Sequence, residues 1–215
     1  MHATAVTGDE AARLRAGLAT LGLNLDDAAQ QRCQAYLDLL ERWNRSYNLT
    51  AVRERERMLT AHILDSLAVV SYLRAPRCLD IGTGAGLPGI PLAIARPDLE
   101  FVLLDSNLKK TRFVHHAASE LGLDNVRVAR ERLERLRAPD GFSTLLSRAF
   151  ASLRDMTRAS HHLLAPGGCW LALKGRHPQA EITALPADVR VQTIDALAIP
   201  GLDAQRHVVV LERTA

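Results

Sequence analysis

Cys78-Leu79-Asp80-Ile81-Gly82-Thr83-Gly84-Ala85-Gly86-Leu87-Pro88-Gly89-Ile90-Pro91 is an apolar strand that runs through Asp80 into a glycine-dense turn. Gly82, Gly84 and Gly86 allow the backbone positive φ and close approach to a ligand. Pro88 and Pro91 suit the first turn of a following helix, where a missing N–H costs nothing, and that helix should stop before Arg96-Pro97. A second apolar strand ends in Asp105, 19 residues beyond Gly86, where a ribose-binding carboxylate belongs. Strand, turn, helix and distant acid together describe a nucleotide-type cofactor site.

Gly84, Gly86 and Gly89 also satisfy G-x-G-x-x-G, the dinucleotide pattern. Asp80 opposes that reading, because a pyrophosphate roughly 6 Å from it would meet a repulsion of about 3 kcal/mol at an effective dielectric of about 20. A cationic ligand is attracted instead. S-adenosylmethionine carries a sulfonium and an ammonium, which suit Asp80 and the turn, and Asp105 can accept from both ribose hydroxyls. The plain alternative is an ordinary turn in which the glycines relieve crowding and Asp80 caps neighbouring amides. A nicotinamide-dependent oxidoreductase is further opposed by the lack of a substrate domain with a Tyr-Lys or His pair.

The 215 residues, 47% of them apolar, can bury a full core as one domain with an appendage. No basic-then-apolar leader and no membrane-length apolar run is present, so a cytoplasmic location is expected. Cys33, Cys78 and Cys169 are widely spaced and read as buried thiols. The pairs His115-His116 and His161-His162 lie in helical stretches where neighbours diverge by about 100°, and no metal is expected. Net charge is +3, and 24 of the 27 basic residues are Arg. Arginine forks match phosphate, which favours a nucleic-acid partner, although a genomic bias toward Arg gives the same count. Arg53, Arg55, Arg57, Arg148, Lys174 and Arg176 fall near expected loops or strand ends.

Residues 1–75 read as a helical extension: one helix near 9–22, one capped by Asp26 or Asp27 and reaching Trp43, and one over about 55–73. Residues 76–215 alternate short apolar strands with amphipathic helices, with strands at Arg77 to Ile81, Phe101 to Leu104, Val126 to Ala129, Thr144 to Ser147 and Cys169 to Lys174. Asn107 and Ser152 cap the connecting helices, and Pro166-Gly167-Gly168 turns into the fifth strand. Residues 189–199 and His207 to Glu212 form an antiparallel pair at the sheet edge. The expectation is an α/β class: a doubly wound, seven-stranded, mostly parallel Rossmann-like sheet with an antiparallel C-terminal strand. Ligands in such sheets bind beyond the carboxyl ends of the strands. That rule gathers Asp80 to Leu87, Asp105, Arg130 to Glu134, Arg148 and Lys174 into one neighbourhood.

This pattern resembles the class I methyltransferase fold. The chain further resembles the bacterial ribosomal small-subunit methyltransferase G family, also called glucose-inhibited division protein B. The resemblance is carried by Trp43 to Thr50, His62 to Ser66, Asp80 to Pro91, Leu103 to Ser106, Ser147 to Ser152, Ala172 to Gly175 and Arg206-His207. It implies methyl transfer from S-adenosylmethionine to N7 of one guanine in 16S rRNA, with the rRNA, the small subunit or its assembly intermediate as partner. A monomer is expected. It also implies that Gly82, Leu87, Leu133, Glu134 and Arg148 contact the cofactor. Glu134 or the backbone beside it would read the adenine amino group, Leu87 and Leu133 would cover apolar faces, and Arg148 would pair with the methionine carboxylate. The alternatives are a solvated helical charge for Glu134 and a structural ion pair for Arg148. A proline often found in the family is Ala85 here.

Guanine N7 presents an in-plane lone pair, so its methylation demands no general base. Arg148 and Lys174 are expected to position substrate and contact RNA. A cytosine-C5 enzyme needs a cysteine at the fourth strand exit, and none stands there. Phe150 suits either base stacking or the core. Trp43 and Tyr47 are assigned to packing. His62 and Asp65 share a helix face, which fits either closure over the pocket and RNA contact or a packing pair.

Overall fold

In the computed structural model, residues 8–149 and 152–214 are described. Seven strands form one sheet in the order β3-β2-β1-β4-β5-β7-β6. They are β1 (Arg77–Ile81), β2 (Glu100–Leu104), β3 (Val126–Ala129), β4 (Phe142–Arg148), β5 (Leu164–Lys174), β6 (Val189–Ala196) and β7 (His207–Arg213). β1 to β5 pair in parallel, while β7 runs antiparallel to both β5 and β6. Strand order reverses between β1 and β4, and a crevice for a ligand opens beyond the carboxyl ends at such a point. The expected sheet, with its antiparallel C-terminal strand, is what forms.

The helices are α1 (Gly8–Thr20), α2 (Asp27–Tyr47), α3 (Arg55–Met58), α4 (Asp65–Leu67), α5 (Gly89–Ala95), α6 (Leu108–Glu120), α7 (Leu153–Ser160) and α8 (Gln179–Thr183). The period-two alternation of the strands sends side chains to two cores. Cys78, Phe101, Leu103, Cys169, Leu171, Val208 and Val210 face one layer, which α1, α2, α5 and α6 cover with Leu14, Tyr36, Leu40, Ile90 and Phe113. Leu79, Val102, Leu104, Leu145, Trp170 and Leu211 face the other, under Leu153 and Met156 of α7. The N-terminal helices therefore share a continuous core with the sheet.

Caps act as their residue types predict. Asp26 accepts from Ala29 N, Asn107 from Lys109 N and Lys110 N, and Ser152 from Asp155 N. Four local expectations need correction. α2 continues past Trp43 to Tyr47, where Asn48 takes a left-handed cap. The single helix expected over 55–73 is α3, a π-helical stretch Leu59–Leu64, α4 and a 3-10 turn Val70–Tyr72. Pro166-Gly167-Gly168 lies inside β5 as a bulge: Phe142 pairs with Leu164 and Thr144 with Cys169, leaving 165–168 without partners on β4. Finally, β6 ends at Ala196, short of the 199 expected.

Candidate functional site

Beyond β1 the chain turns at Gly82, Gly84 and Gly86, with φ of +70°, +61° and +84°. The turn is closed by Thr83 N on Leu104 O and by Gly86 N and Leu87 N on Thr83 O, all 2.9 Å. A longer tie comes from α2, where the buried Tyr36 hydroxyl donates to Ala85 O at 2.7 Å. Asp80 sits at the centre, fully buried. Its Oδ2 accepts from Thr83 Oγ1 at 2.6 Å and Gly89 N at 2.9 Å. Its Oδ1 is buried with no partner among the described residues. Burial raises the carboxyl pKa to about 6, against the pull of the Thr83 and Gly89 bonds and of the Arg148 charge. Gly89 permits this packing, since a Cβ there would lie 2.7 Å from Asp80 Oδ2.

Asp105 leaves β2 beside the turn. It accepts from Gly84 N at 3.1 Å and Asn107 N at 2.8 Å, with Lys110 Nζ 3.6 Å away. A carboxylate has about four lone-pair positions, so acceptor capacity remains after these bonds. The unpaired Asp80 oxygen, the glycine-rich turn and Asp105 fit a ligand with positive charge at one end and hydroxyls at the other.

The β4 exit forms a second corner. Arg148 Nη1 donates to Ala61 O at 3.2 Å and to Asp65 Oδ2 at 3.3 Å, and Arg206 Nε donates to Asp65 Oδ1 at 2.8 Å. Because β7 is antiparallel, Arg206 at its start reaches the same edge as the exits of β4 and β5. Beside them His62 is buried, its Nε2 3.0 Å from Thr50 Oγ1 and its Nδ1 without a partner among the described residues. Burial, then Arg148, lowers the His62 pKa to about 4.

A family model described as rRNA small subunit methyltransferase G matches residues 29–209. The chain belongs to this family. Relatives named Ribosomal RNA small subunit methyltransferase G include one from Nitrosococcus oceani, 52% identical over 92% of each chain. One from Neisseria gonorrhoeae is 50% identical over 94% of this chain and 97% of its own. Solved structures share the fold at lower identity. A SAM-dependent methyltransferase from Aquifex aeolicus aligns with a TM-score of 0.54 at 15% identity, covering 69% of this chain and 90% of its own. One from Geobacter sulfurreducens, in complex with S-adenosyl-L-homocysteine, aligns at 0.53 and 14%, covering 71% and 90%.

In this member of the methyltransferase G family, Asp80, Gly82, Gly84, Gly86, Leu87 and Asp105 converge on one turn, and Arg148 acts electrostatically on Asp80. Leu87 is buried in the α5-side core and Leu133 in the opposite one. Glu134 is exposed and lines an open depression of about 660 Å³ with Arg137, Arg158 and His162, which contains none of the turn residues. Lys174 reaches the strand edge, but its Nζ is held by Glu181 Oε2 at 2.7 Å, an oxygen that also caps Leu153 N at 2.8 Å. Phe150 lies outside the described residues. Trp43 packs on Phe113 as expected, whereas Tyr47 is 46% exposed and stacks on Trp43 from outside. All three cysteines are buried and free. Among the described residues no group of three or more His, Cys, Asp or Glu is placed to hold a metal, and no helix is long and apolar enough to cross a membrane. Sequence reading missed Tyr36, Glu181 and the coupling of Arg206 to Asp65. Arg206 alone left a trace, through the similarity of Arg206-His207 to the family.

Proposed function

We propose that this chain transfers the methyl group of S-adenosylmethionine to N7 of a guanine in the 16S rRNA of the small ribosomal subunit, acting as a monomer in the cytoplasm. The observation that carries the cofactor assignment is the buried, unpaired Oδ1 of Asp80 beside a turn with three left-handed glycines. The substrate assignment is supported by the relatives' name and by the family resemblance.

When bound, S-adenosylmethionine supplies an electrophilic methyl on a cationic sulfur. Asp80 would compensate the ligand's positive charge from a fully buried position, where an ion pair counts for more than on the surface. Gly82, Gly84 and Gly86 let the backbone approach it. Leu87 and Leu133 bound its apolar surface, Asp105 accepts from the ribose, Glu134 or its backbone meets the adenine amino group, and Arg148 pairs with the carboxylate. Lys174 exchanges its link to Glu181 for an RNA phosphate. Because N7 carries its own lone pair, the residues act by alignment and electrostatic support, with no proton to remove.

The direct test incubates the purified chain with labelled methyl donor and small subunits from cells lacking the gene, followed by mass spectrometry of the rRNA. One new 7-methylguanosine per subunit is expected. Label on another base position would overturn the N7 assignment, and donor binding without label would leave a binding module.

A further inference from the structure

The π-helical stretch Leu59–Leu64 shifts the amide of Asp65 onto Thr60 O, five residues back, away from Ala61 O, four residues back. Ala61 O receives Arg148 Nη1 at 3.2 Å instead. Asp65, nearly fully buried, takes the same Nη1 with Oδ2 at 3.3 Å and is itself fixed by Arg206 Nε on Oδ1 at 2.8 Å. One end of the guanidinium is therefore held twice, and the anion holding it is held in turn. Among the described residues the hydrogen bonds of the Arg148 side chain leave from Nη1, so Nε and Nη2 are not engaged by them. π-Helical turns interrupt the regular hydrogen bonding of an α-helix and occur frequently at functional sites.

We propose that Asp65 is a positioning residue for methyl-donor binding. With Ala61 O it fixes one edge of Arg148 so that the opposite edge receives the donor's carboxylate as a fork. The proposal rests on the assignment of Arg148 to that carboxylate made above. A free arginine must surrender side-chain freedom to bind in a single geometry, and the socket formed by the N-terminal helical extension removes that cost before the ligand arrives. This gives residues 59–65, which precede β1 and lie outside the glycine turn, a part in cofactor affinity.

The experiment compares S-adenosylhomocysteine, which has the carboxylate, with 5′-methylthioadenosine, which lacks the amino-acid portion, by calorimetry. For Asp65→Asn, homocysteine-compound affinity should fall about tenfold or more, the scale of one charge-assisted hydrogen bond, while methylthioadenosine affinity stays within about twofold. In an Arg148→Ala background, Asp65→Asn should have no further effect on either ligand. Equal losses for both ligands would show general loosening, no loss would remove Asp65 from the site, and either overturns the proposal. If Asp65→Asn does not fold, Arg206→Gln, which releases the other carboxylate oxygen, should give a smaller loss with the same selectivity, and an unselective or absent loss overturns the proposal equally. A wild-type chain that binds neither compound would instead refute the methyl-donor reading. One that binds both equally would refute the Arg148 assignment.

Discussion

Asp80 reaches Thr83 three residues ahead and Gly89 nine ahead, whereas Arg148 reaches Asp65 83 residues back and Asp65 reaches Arg206 141 ahead. The glycine turn is thus assembled largely from its own segment, with Tyr36, the Leu104 carbonyl and the Asp105 carboxylate as supports from elsewhere. The Arg148 corner exists only once the π-helical stretch, the end of β4 and the start of β7 have met. Local construction makes the turn robust to changes elsewhere and intolerant of changes within it. Remote construction makes the corner adjustable, because each contributor has other structural employment and a single link can loosen without loss of the sheet.

The largest effect that would sharpen this contrast is expected of Gly86→Ala. A Cβ there lies 2.6 Å from Ile90 Cγ1, inside the buried start of α5, on a backbone at φ +84°. Left-handed strain of about 1–2 kcal/mol and overpacking of about 1–3 kcal/mol should lower the melting temperature and weaken methyl-donor binding together. A variant that melts normally would show that the turn is less tightly built than its geometry indicates. The corner variant Arg206→Gln, whose side chain is partly exposed, should by comparison lose affinity with a smaller loss of stability. A smaller effect is expected of Tyr36→Phe, which removes the hydroxyl from Ala85 O at the cost of about 1 kcal/mol. Thermal denaturation should detect that loss together with a modest fall in donor affinity, and an unchanged affinity would make the turn independent of α2.

The sequence announced the turn because glycine is the residue type that takes positive φ cheaply and because Asp80 and Asp105 end apolar runs that alternate with helices. Asn107 and Ser152 marked helix starts for an equally local reason. Other features carried no such signal. Nothing in the composition of Leu59 to Leu64 distinguishes a π-helical stretch from an α-helix, since the register shift is stabilised by Arg148 from another element. Pro166-Gly167-Gly168 reads equally as a turn or as a bulge until the pairing of Phe142 with Leu164 is known. Tyr47 has the spacing of a core residue but lies one turn too far along α2 to be covered. Tyr36 looks like one more apolar position on an amphipathic helix, and only its 2.7 Å bond to Ala85 O discloses its connection to the site.

The measurement that bears most directly on the buried carboxylate is calorimetric titration of S-adenosylmethionine into the wild-type chain and Asp80→Asn between pH 5 and 7.5, with NADH as control. Because burial lifts Asp80 to about 6, the free site is largely protonated at the acid end and ionised at the neutral end. Affinity for the cationic donor should therefore rise as pH passes upward through about 6 and then level off. Asp80→Asn should bind about tenfold or more weakly at neutral pH with that rise abolished, and NADH should bind neither chain. Tight NADH binding, or a donor affinity indifferent to both pH and the substitution, would contradict the account.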